Sequence, residues 1–480
     1  MNYFVCTSIP YVNGEPHLGH AMEFVMADVL ARYARSQDRN VIFSTGTDEH
    51  GGKIAEKAAE LKLEPQELSD QMSQKFRDLV SALHCSPDRF IRTTDKGHEQ
   101  RAQLIWKGLE KDIYKKNYVG WYCTGDEEFF TETTVQDNNG VCPDHNRPYE
   151  KIEEENYFFA LSKYNEEIKK AIESGQFQVV PKTKRNEILS VINEGLEDIS
   201  ISRPKDKISW GIPVPGDKHQ VMYVWFEALM NYITVLGYPE HEDFQKFWPA
   251  DVQVVGKGIL RFHAAIWPGM LLALGLQLPK KLYVHGYVTV DDKKMSKSLG
   301  NSVSPNEIID KYGADTFRYY FLRHIPSYED GDFSWDKLET AYNNELANEL
   351  GNAVQRTAAM IVKYQEGAIG AIPAPTHDIA EYTHALEHCR FDRALDEVWQ
   401  QVRGLNQYID AEKPWVIAKS DDADHLREVL SIQVGSLIEI AEMLEPFMPS
   451  TAGKIKAVFK RGVVEPIEGT LFPKYETVDD

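Results

Sequence analysis

The stretch 9–20, I-P-Y-V-N-G-E-P-H-L-G-H, constrains the fold more than any other part of the chain. An apolar, β-prone run precedes it at 2–7, and apolar residues recur with helical spacing from Met22 to Tyr33. The order is therefore strand, loop, helix, with Gly19 and His20 at the helix N-terminus. Free N–H groups and the helix dipole attract anions there, and a missing Cβ lets a phosphate approach closely. The stretch predicts a nucleotide site, although it lacks the G-x-G-x-x-G of dinucleotide-binding folds.

Length and charge limit the class of protein. A chain of 480 residues is long enough for roughly two to four domains with substantial cores. The net charge of −21 argues against a protein that coats DNA or other nucleic acid non-specifically, because such binding neutralises phosphates. The most apolar window, Trp267 to Pro279, is too short to cross a bilayer. With no signal peptide indicated and five mostly isolated cysteines, we expect a cytoplasmic protein without a membrane partner.

A second polar loop follows the β-prone run 40–44. Its sequence is T-G-T-D-E-H-G-G, and it leads into a helix-like segment at 53–61. In an open parallel sheet, ligands bind beyond the carboxyl ends of the strands, which is where Asp48 and His50 fall. Capping of the next helix by Asp48 is an equally acceptable interpretation of this residue.

Between 118 and 180 the alternation of strands and helices gives way to two knuckle-like turns. Cys123 with Asp126, and Cys142 with His145, have the spacing of a tetrahedral zinc clip that folds a small β-rich insertion. A carboxylate can ligate zinc, but Asp126 stands where a thiolate is more usual. One zinc ion per chain is the prediction, with a degenerate, metal-free knuckle as the alternative.

Two further segments carry pocket candidates. Trp225, Ala228, Leu229 and Tyr232 lie on one face of a helix, a pattern that more often means plain core. The strand 252–259 ends in glycines and precedes a helix with His263, and a lone histidine there is usually a satisfied core residue.

The second decisive stretch is 293–301, K-K-M-S-K-S-L-G-N, after a strand predicted over 281–290. It places Lys294 and Lys297 on a loop at the end of a strand. Two ammonium groups interleaved with hydroxyls can clamp polyphosphate oxygens as charge builds in a transition state. A surface lysine run is disfavoured, because the same chain holds the histidine-containing helix N-terminus.

Together these stretches resemble the class I aminoacyl-tRNA synthetases, and among them the methionyl-tRNA synthetases. The resemblance covers nearly the whole chain. Its motifs are P-Y-x-N-G-x-x-H-L-G-H and K-M-S-K-S, with G-T-D-E-H-G at 46–51, the cysteine knuckles, I-S-R at 201–203, W-G-I-P-V-P at 210–215, Y-V-W at 223–225 and R-F-H at 261–263. H-x-G-H with K-M-S-K-S identifies only the class, and the aromatic and loop motifs indicate the amino acid.

The resemblance implies a mechanism and a set of site residues. ATP with Mg²⁺ would activate methionine as an adenylate, and tRNA would then take the methionyl group. The implied catalytic residues are His17, His20, Lys294, Lys297 and Arg203; the implied ATP-binding residues are Gly19, His17, His20, Lys294, Ser296, Lys297 and Val288. The implied methionine pocket consists of Ile9, Tyr11, Asp48, Trp225, Ala228, Tyr232, Ile259 and His263, with Asp48 as the partner of the substrate ammonium.

The implied fold is α/β: a Rossmann-like parallel-sheet catalytic domain with a small zinc-knuckle insertion, followed by an α-helical bundle that binds the anticodon. Its segments are 1–117 and 181–331 for the two halves of the catalytic domain, 118–180 for the insertion, and 332–480 for the bundle. The chain stops at Asp480, so a monomer is expected.

The C-terminal third has one helix with two stripes. Leu346, Leu350, Val354, Thr357 and Ile361 form the apolar stripe, and Asn344, Asn348, Asn352 and Arg356 form a polar stripe that could simply be solvated. The family's anticodon readers fall on Asn348, Asn352 and Arg356, with Trp415 available for base stacking. The expected partner is methionine tRNA, both initiator and elongator.

Some positions differ from the family pattern, and other functions for the chain stay open. Gly258 stands where many relatives carry Asp, and Ser8 and Leu229 replace Ala and Pro at the pocket edge, so selectivity against analogues could differ. A class I synthetase for another apolar amino acid, or a nucleotidyltransferase of the superfamily, would keep both phosphate motifs but not the polar stripe with Trp415. A non-catalytic tRNA-binding paralogue would be expected to have lost His20 or Lys297, and both are present.

Overall fold

A mixed α/β architecture occupies the part of the chain that the computed structural model describes, which is residues 1–123, 125, 128–130, 132–143, 146–290, 293–294, 303–373, 378–420, 422–459, 462–467 and 469–474. The strands, numbered in chain order, are β1 (Asn2–Thr7), β2 (Asn40–Thr47), β3 (Arg89–Arg92), β4 (Ile113–Cys123), β5 (Glu128–Phe130), β6 (Glu150–Phe159), β7 (Gln178–Val180), β8 (Ile199–Ser200), β9 (Ser202–Pro204), β10 (Pro213–Val214), β11 (Asp217–Met222), β12 (Val252–Gly256), β13 (Lys281–His285), β14 (Val288–Val290), β15 (Lys293–Lys294) and β16 (Gly331–Phe333).

Helices flank the strands in the first two thirds of the chain and dominate the last third. They are α1 (Leu18–Ser36), α2 (Gly52–Leu61), α3 (Pro65–Ala82), α4 (Lys96–Gly108), α5 (Glu132–Asp137), α6 (Asn165–Ser174), α7 (Lys182–Glu194), α8 (Val224–Leu229), α9 (Asn231–Thr234), α10 (Glu242–Phe247), α11 (Trp267–Ala273), α12 (Pro305–Tyr312), α13 (Ala314–Arg323), α14 (Trp335–Ala341), α15 (Asn352–Gln365), α16 (Ala380–Glu387), α17 (Phe391–Glu412), α18 (Pro414–Ile417), α19 (Ala423–Leu444) and α20 (Pro449–Phe459). Short 3₁₀ turns cover 110–112, 161–164 and 257–259, and π-helical segments cover 262–266 and 342–351.

The predicted parallel sheet is confirmed. Its six strands have the order β3-β2-β1-β12-β13-β7, and each neighbouring pair is parallel. The chain turns from β1 towards β2 and β3 on one side and later adds β12 on the other. A crevice therefore opens beyond the carboxyl ends of β1 and β12, where open α/β sheets bind their ligands.

The central sheet separates two hydrophobic cores, because successive side chains of a strand point to opposite faces. Val5 and Phe43 belong to the first core, whereas Phe4 and Ile42 belong to the second. Side chains of α1, α3, α13 and the helices of the last third fill the first core. Side chains of α4, α6, α7, α8 and α11 fill the second.

A separate antiparallel sheet, with the order β5-β4-β6-β8, forms the insertion. Its first strand begins at Ile113, whereas the sequence predicted an insertion over 118–180. At the other end, Gln178–Val180 pairs with β13 at the edge of the central sheet and so lies outside the insertion. A strand of three residues is too short to show an alternating pattern, which is why the sequence did not reveal it.

The run 281–290, predicted as one strand, forms two strands in different sheets. β13 belongs to the central sheet, and β14 pairs with β15 and β16. Glycine at 286 permits the change of direction, because a Cβ there would lie 2.2 Å from the carbonyl oxygen of Glu329. The chain thereby carries Val288 away from the central sheet, and Thr289 and Val290 pair with Lys294 and Lys293.

The predicted two-sided helix of the last third is confirmed. It runs from α14 through the π-helical segment into α15. The apolar stripe is buried at Leu346, Leu350, Val354, Thr357 and Ile361. On the polar side, Asn344, Asn348 and Asn352 are exposed and Arg356 is half-buried. Within the described ranges, no helix combines the length and the apolar character needed to cross a bilayer.

Arg318 of α13 joins the first core's helices at their centre. Its guanidinium, fully buried, pairs with Asp28 of α1 at 2.7 Å. It also donates to the carbonyl oxygens of Phe447 at 2.5 Å and Pro446 at 2.8 Å, just after α19. The helix that starts with the histidine motif is thus tied to the helical third of the chain.

Candidate active site

Two histidines cap the start of α1. His17 is the N-cap residue, and His20 occupies the third helical position. The backbone N–H of His20 donates to Nδ1 of His17 at 3.3 Å, and the backbone N–H of His17 donates to Nδ1 of His20 at 3.4 Å. The two rings stack with their centroids 3.6 Å apart. The pair is a reciprocal capping box made of imidazoles.

The cap fixes the protonation of both rings. Each Nδ1 accepts a main-chain hydrogen bond, so the proton of each neutral ring sits on Nε2. Burial, with His17 and His285 nearby, lowers the pKa of His20 well below its ordinary value. Burial likewise lowers the pKa of His17 to about 4, although part of its surface stays exposed. The rings therefore offer N–H donors to an anion at the helix N-terminus, where the helix dipole also favours negative charge.

Gly19 between them leaves room for the His17 ring. A Cβ at this position would lie 3.1 Å from Cε1 and 3.2 Å from Nδ1 of His17. Those distances are shorter than ordinary van der Waals contact, so a side chain there would require the His17 ring to shift by a few tenths of an ångström. The glycine serves the histidine pair directly, in addition to leaving room for a ligand.

On the far side of β12, His263 and Tyr232 form a buried polar pair within the predicted methionine pocket. His263 Nδ1 donates to the carbonyl oxygen of Ile259 at 2.9 Å, which leaves Nε2 to accept from the Tyr232 hydroxyl at 2.7 Å. Burial lowers the pKa of His263 to about 4. The pair is therefore neutral near pH 7, as a slot for an uncharged thioether requires.

Aromatic and aliphatic side chains surround this pair. Trp225 stacks on Phe262 with centroids 4.8 Å apart. Ala228 is buried on the same helix as Trp225, and Ile9 and Ile259 pack half-buried against the second core. These predicted pocket residues are thus drawn from the loop after β1, from α8 and α9, and from the segment after β12. The sequence missed Phe262, which lies inside the R-F-H motif but showed no pattern of its own.

Asp48 and Tyr11 lie side by side on the other wall of the crevice. They form an isolated parallel β-bridge, in which the N–H of Asp48 donates to the carbonyl oxygen of Pro10 at 2.8 Å. The N–H of Val12 returns the bond to the carbonyl oxygen of Asp48 at 3.0 Å. The carboxyl group of Asp48 is buried. The alternative that Asp48 is the N-cap residue of the next helix is wrong, because Gly51 holds that position at α2.

Arg203 lies where the insertion meets the catalytic domain. Its guanidinium donates to both carboxylate oxygens of Glu154 of β6, at 2.9 and 3.1 Å, and lies 4.1 Å from the ring centroid of Tyr122. It lines two neighbouring cavities there, of about 600 and about 350 Å³. It therefore contacts the insertion, and the larger cavity that it lines is also bordered by Phe262 of the R-F-H segment.

The predicted lysine loop is described only in part. Lys294 belongs to β15, where its backbone pairs with Thr289 next to Val288. Ser296 and Lys297 lie outside the described residues.

The predicted metal knuckle of the insertion is also described only in part. Cys123 and Cys142 are buried together with Val135 and Tyr149, whereas Asp126 and His145 lie outside the described residues. Over the ranges that are described, no group of three or more His, Cys, Asp or Glu side chains has an arrangement that could hold a metal ion.

The predicted anticodon residues do come together in the helical third. Arg356 lies 5.4 Å from the ring centroid of Trp415, and its guanidinium donates to Asp410 at 3.0 Å. Asn352 is exposed one helical turn before Arg356, and Asn348 one turn earlier. Trp415 itself is half-buried at the start of α18. A flat aromatic ring, a guanidinium and exposed amides thus share one surface.

Family comparisons match almost the whole chain. A family model described as "tRNA synthetases class I (M)" matches residues 3–151 and 145–358. A second, described as "Anticodon-binding domain of tRNA ligase", matches residues 376–473.

Individual relatives and solved structures agree with these models. The chain is 43% identical over 470 residues to methionine–tRNA ligase of Caldanaerobacter subterraneus, covering 94% of this chain and 73% of that protein. It is 40% identical over 480 residues to methionine–tRNA ligase of Thermotoga maritima, covering 96% of this chain and 75% of that protein. The Mycobacterium tuberculosis methionyl-tRNA synthetase in complex with methionyl-adenylate superposes with a TM-score of 0.92 at 35% identity, covering 98% of this chain and 99% of that one.

Proposed function

The chain belongs to the class I methionyl-tRNA synthetases, and on that basis we propose which of its residues carry the reaction. As a member of the family it attaches methionine to tRNA through a methionyl adenylate, with ATP as the second substrate. The observation that carries the residue roles is the imidazole capping box of His17 and His20 at the crevice between β1 and β12. It is a donor pair at the place where the sheet binds nucleotides.

Adenylate formation needs the methionine carboxylate to reach the α-phosphate while pyrophosphate leaves. The Nε2–H groups of His17 and His20 donate to phosphate oxygens, and the ammonium groups of Lys294 and Lys297 neutralise the charge that builds on the leaving group. Gly19 leaves room for the phosphates, and Val288 and Ser296 complete the ATP site. The phosphates of ATP would hold Mg²⁺, which would supply a counter-charge to them. Positioning and charge neutralisation supply most of the catalysis, since phosphoryl-type transfer needs little covalent help.

The methionine side chain lies between Ile9, Tyr11, Ala228 and Ile259, against the Trp225 ring. His263 and Tyr232, a neutral pair, bound the end of this slot, and a thioether adapts well to an aromatic-lined space. The substrate ammonium binds the buried carboxylate of Asp48 on the opposite wall. Arg203 acts at the edge of this site, where the insertion contacts the catalytic domain.

The tRNA binds at the helical third through its anticodon. Asn348, Asn352 and Arg356 hydrogen-bond to splayed bases, and the Trp415 ring stacks on one of them. The enzyme would aminoacylate both initiator and elongator methionine tRNA, because both carry the same anticodon.

A monomeric state and a cytoplasmic location remain predictions. The five cysteines, all within the described ranges, form no disulfide, which fits a reducing compartment.

Replacing Trp415 with alanine separates the two halves of the reaction. We expect aminoacylation of tRNA to fall by about tenfold or more, because base stacking on an aromatic ring is worth about 1–3 kcal/mol. Methionine-dependent ATP–pyrophosphate exchange should stay unchanged, since α18 is remote from the crevice. Both rates are measured on the same preparation.

A Trp415→Phe variant is the matched control, because it keeps a flat ring at this position. It should retain most of the aminoacylation rate. An equal loss in both assays for Trp415→Ala would contradict the assignment of this surface to the anticodon.

Zinc fits the residues of the insertion that are described. Cys123 and Cys142 are 0% and 1% exposed, and they pack in one small cluster. The backbone of the second cysteine is held at both polar atoms, since the N–H of Cys142 donates to the carbonyl oxygen of Arg147 at 2.8 Å and its own carbonyl oxygen accepts from the N–H of Asn146 at 2.9 Å. Together with Asp126 and His145 they would hold one ion, which would stabilise an insertion whose own core is very small.

Metal analysis of purified protein tests this site. We expect about one equivalent of zinc per chain, lost on treatment with a strong chelator under mild denaturation. A Cys142→Ser variant should contain little zinc, whereas Cys389→Ser, in the helical third, should keep it. Less than about a tenth of an equivalent in the untreated protein would rule the site out.

A further inference from the structure

A buried carboxylate interrupts an otherwise apolar helix behind the methionine site. Glu227 lies on α8, between Trp225 and Ala228, and none of its side chain is exposed. His50 Nδ1 donates to its Oε1 at 2.7 Å, and His98 Nε2 donates to its Oε2 at 2.9 Å. Both imidazoles are themselves buried. A carboxylate this deep is costly unless both oxygens are satisfied, and here two histidines do so.

The two histidines come from different elements. His50 follows Asp48 in the loop after β2, whereas His98 lies on α4. His98 Nδ1 also contacts the Thr234 hydroxyl of α9 at 2.8 Å, so its ring is held at both nitrogens. Although burial disfavours a charged ring, the carboxylate of Glu227 raises the pKa of His50. Glu227 is therefore the junction of the Asp48 loop, α4 and the α8–α9 segment.

The loop itself is anchored on its other side. Arg92 donates to both carboxylate oxygens of Glu49, at 2.7 and 2.8 Å. Trp210 Nε1 donates to the carbonyl oxygen of Glu49 at 2.6 Å, and the N–H of Gly51 donates to the carbonyl oxygen of Trp210 at 3.0 Å. These bonds hold the loop to β3 and to the W-G-I-P segment. The contact with Glu227 is what ties it to α8, the helix that carries the pocket wall.

We propose that Glu227 is a positioning residue for methionine. Through its hydrogen bond with His50, it sets the separation between the Asp48 carboxylate and the pocket wall formed by Trp225 and Ala228. The hydrogen bond from His98 holds the Glu227 carboxylate in place. This inference rests on the proposed assignment of Asp48 and α8 to the methionine site. An amino acid binds well only when the protein group that contacts its ammonium and the wall that contacts its side chain are a fixed distance apart. A chain of buried, hydrogen-bonded side chains can fix that spacing to within a fraction of an ångström.

Glu227→Gln is the discriminating variant, because it keeps the shape of the side chain and leaves only one oxygen to accept from two imidazoles. We expect KM for methionine in pyrophosphate exchange to rise by about tenfold, since misplacement of a binding group by about 1 Å can cost up to about a hundredfold. KM for ATP and kcat should change by less than about threefold. Glu227→Asp, which restores the charge on a shorter stem, should recover part of the loss.

Controls separate positioning from folding. Asp315→Asn removes another buried carboxylate, one that accepts from the backbone N–H of Thr451 at 2.5 Å, and should leave the ratio of the two KM values unchanged. If Glu227→Gln does not fold, His98→Gln gives the same information, with a rise of about threefold in KM for methionine. Thermal melting of each variant accompanies the kinetics.

The Asp48→Asn variant distinguishes failure of the Glu227 proposal from failure of the methionine-pocket assignment. A large rise in KM for methionine with Asp48→Asn, and none with Glu227→Gln, would overturn the role of Glu227 while the pocket assignment stands. No rise with either variant would overturn the pocket assignment itself. Equal changes in the KM values for methionine and ATP would likewise reject a positioning role for Glu227.

Discussion

Replacing His20 with alanine should lower the rate of methionyl-adenylate formation by about a hundredfold or more, while methionine affinity stays within about twofold. Loss of one preorganised donor to a developing oxyanion typically costs that much. The ring of His20 donates from Nε2, because its Nδ1 already accepts from the backbone of His17. The proposed methionine site is formed by other elements, so we expect methionine binding not to depend on this donor. Single-turnover adenylate formation and equilibrium binding of methionine measure the two quantities.

The capping role of His20 must be separated from its role toward phosphate. His20→Asn provides the control, because its side-chain oxygen can accept from the backbone N–H of His17 while no donor reaches the Nε2 position. It should be about as slow as His20→Ala and should melt closer to the unmodified protein. Unchanged turnover in both variants would break the link between this motif and the chemistry.

Replacing Arg318 with methionine should lower the free energy of unfolding by about 3–5 kcal/mol, because it leaves the carboxylate of Asp28 buried with a weakened set of partners. Both side chains are fully buried and lie 2.7 Å apart. The same change also strips donors from the carbonyl oxygens of Pro446 and Phe447. Denaturant unfolding at pH 7 is the measurement.

Arg393→Met is the matched control, since that arginine is 66% exposed and its ion pair with Asp396 measures 3.7 Å. Its loss should change stability by less than about 0.5 kcal/mol. A similar small change for Arg318→Met would show that Arg32 and Ser86 hold Asp28 adequately without Arg318.

The pH dependence of the Asp28 pair has a definite sign. Burial alone would raise the pKa of Asp28, but the guanidinium groups of Arg318 and Arg32 hold it below its ordinary value of 3.8. The stabilisation from this carboxylate is therefore complete above pH 3.8 and is lost as the pH falls through the lower folded-state value. Acid unfolding of the unmodified protein thus includes the rupture of this pair.

The fold was predictable from the sequence wherever a local pattern extended over enough residues. The helical spacing from Met22 to Tyr33 and the two stripes around Leu350 are such patterns, and both matched the structure. Short or bent elements gave no such signal. Gln178–Val180 joins the central sheet with three residues, and Gly286 splits one apolar run between two sheets because of a contact with Glu329, distant in sequence.

The site was predictable in a similar, uneven way. Motif residues such as His20 and His263 were found because each stands in a recognisable local sequence. The partnership of Glu227 with His98 was not, because it joins residues 129 positions apart. A carboxylate inside the apolar run V-W-F-E-A-L-M was the available signal, since an ionisable group there must find a partner or remain neutral. Pairing across elements is information that a single sequence does not carry.

The first core has a consequence for how the enzyme responds to damage. It extends without interruption from α1 beside β1 to Phe459 at the end of α20. We therefore expect a cavity opened among the helices of the last third to weaken the same core that holds α1 in place. Destabilising substitutions in the helical third would lower the fraction of folded, active molecules, even when every residue that contacts substrate is intact.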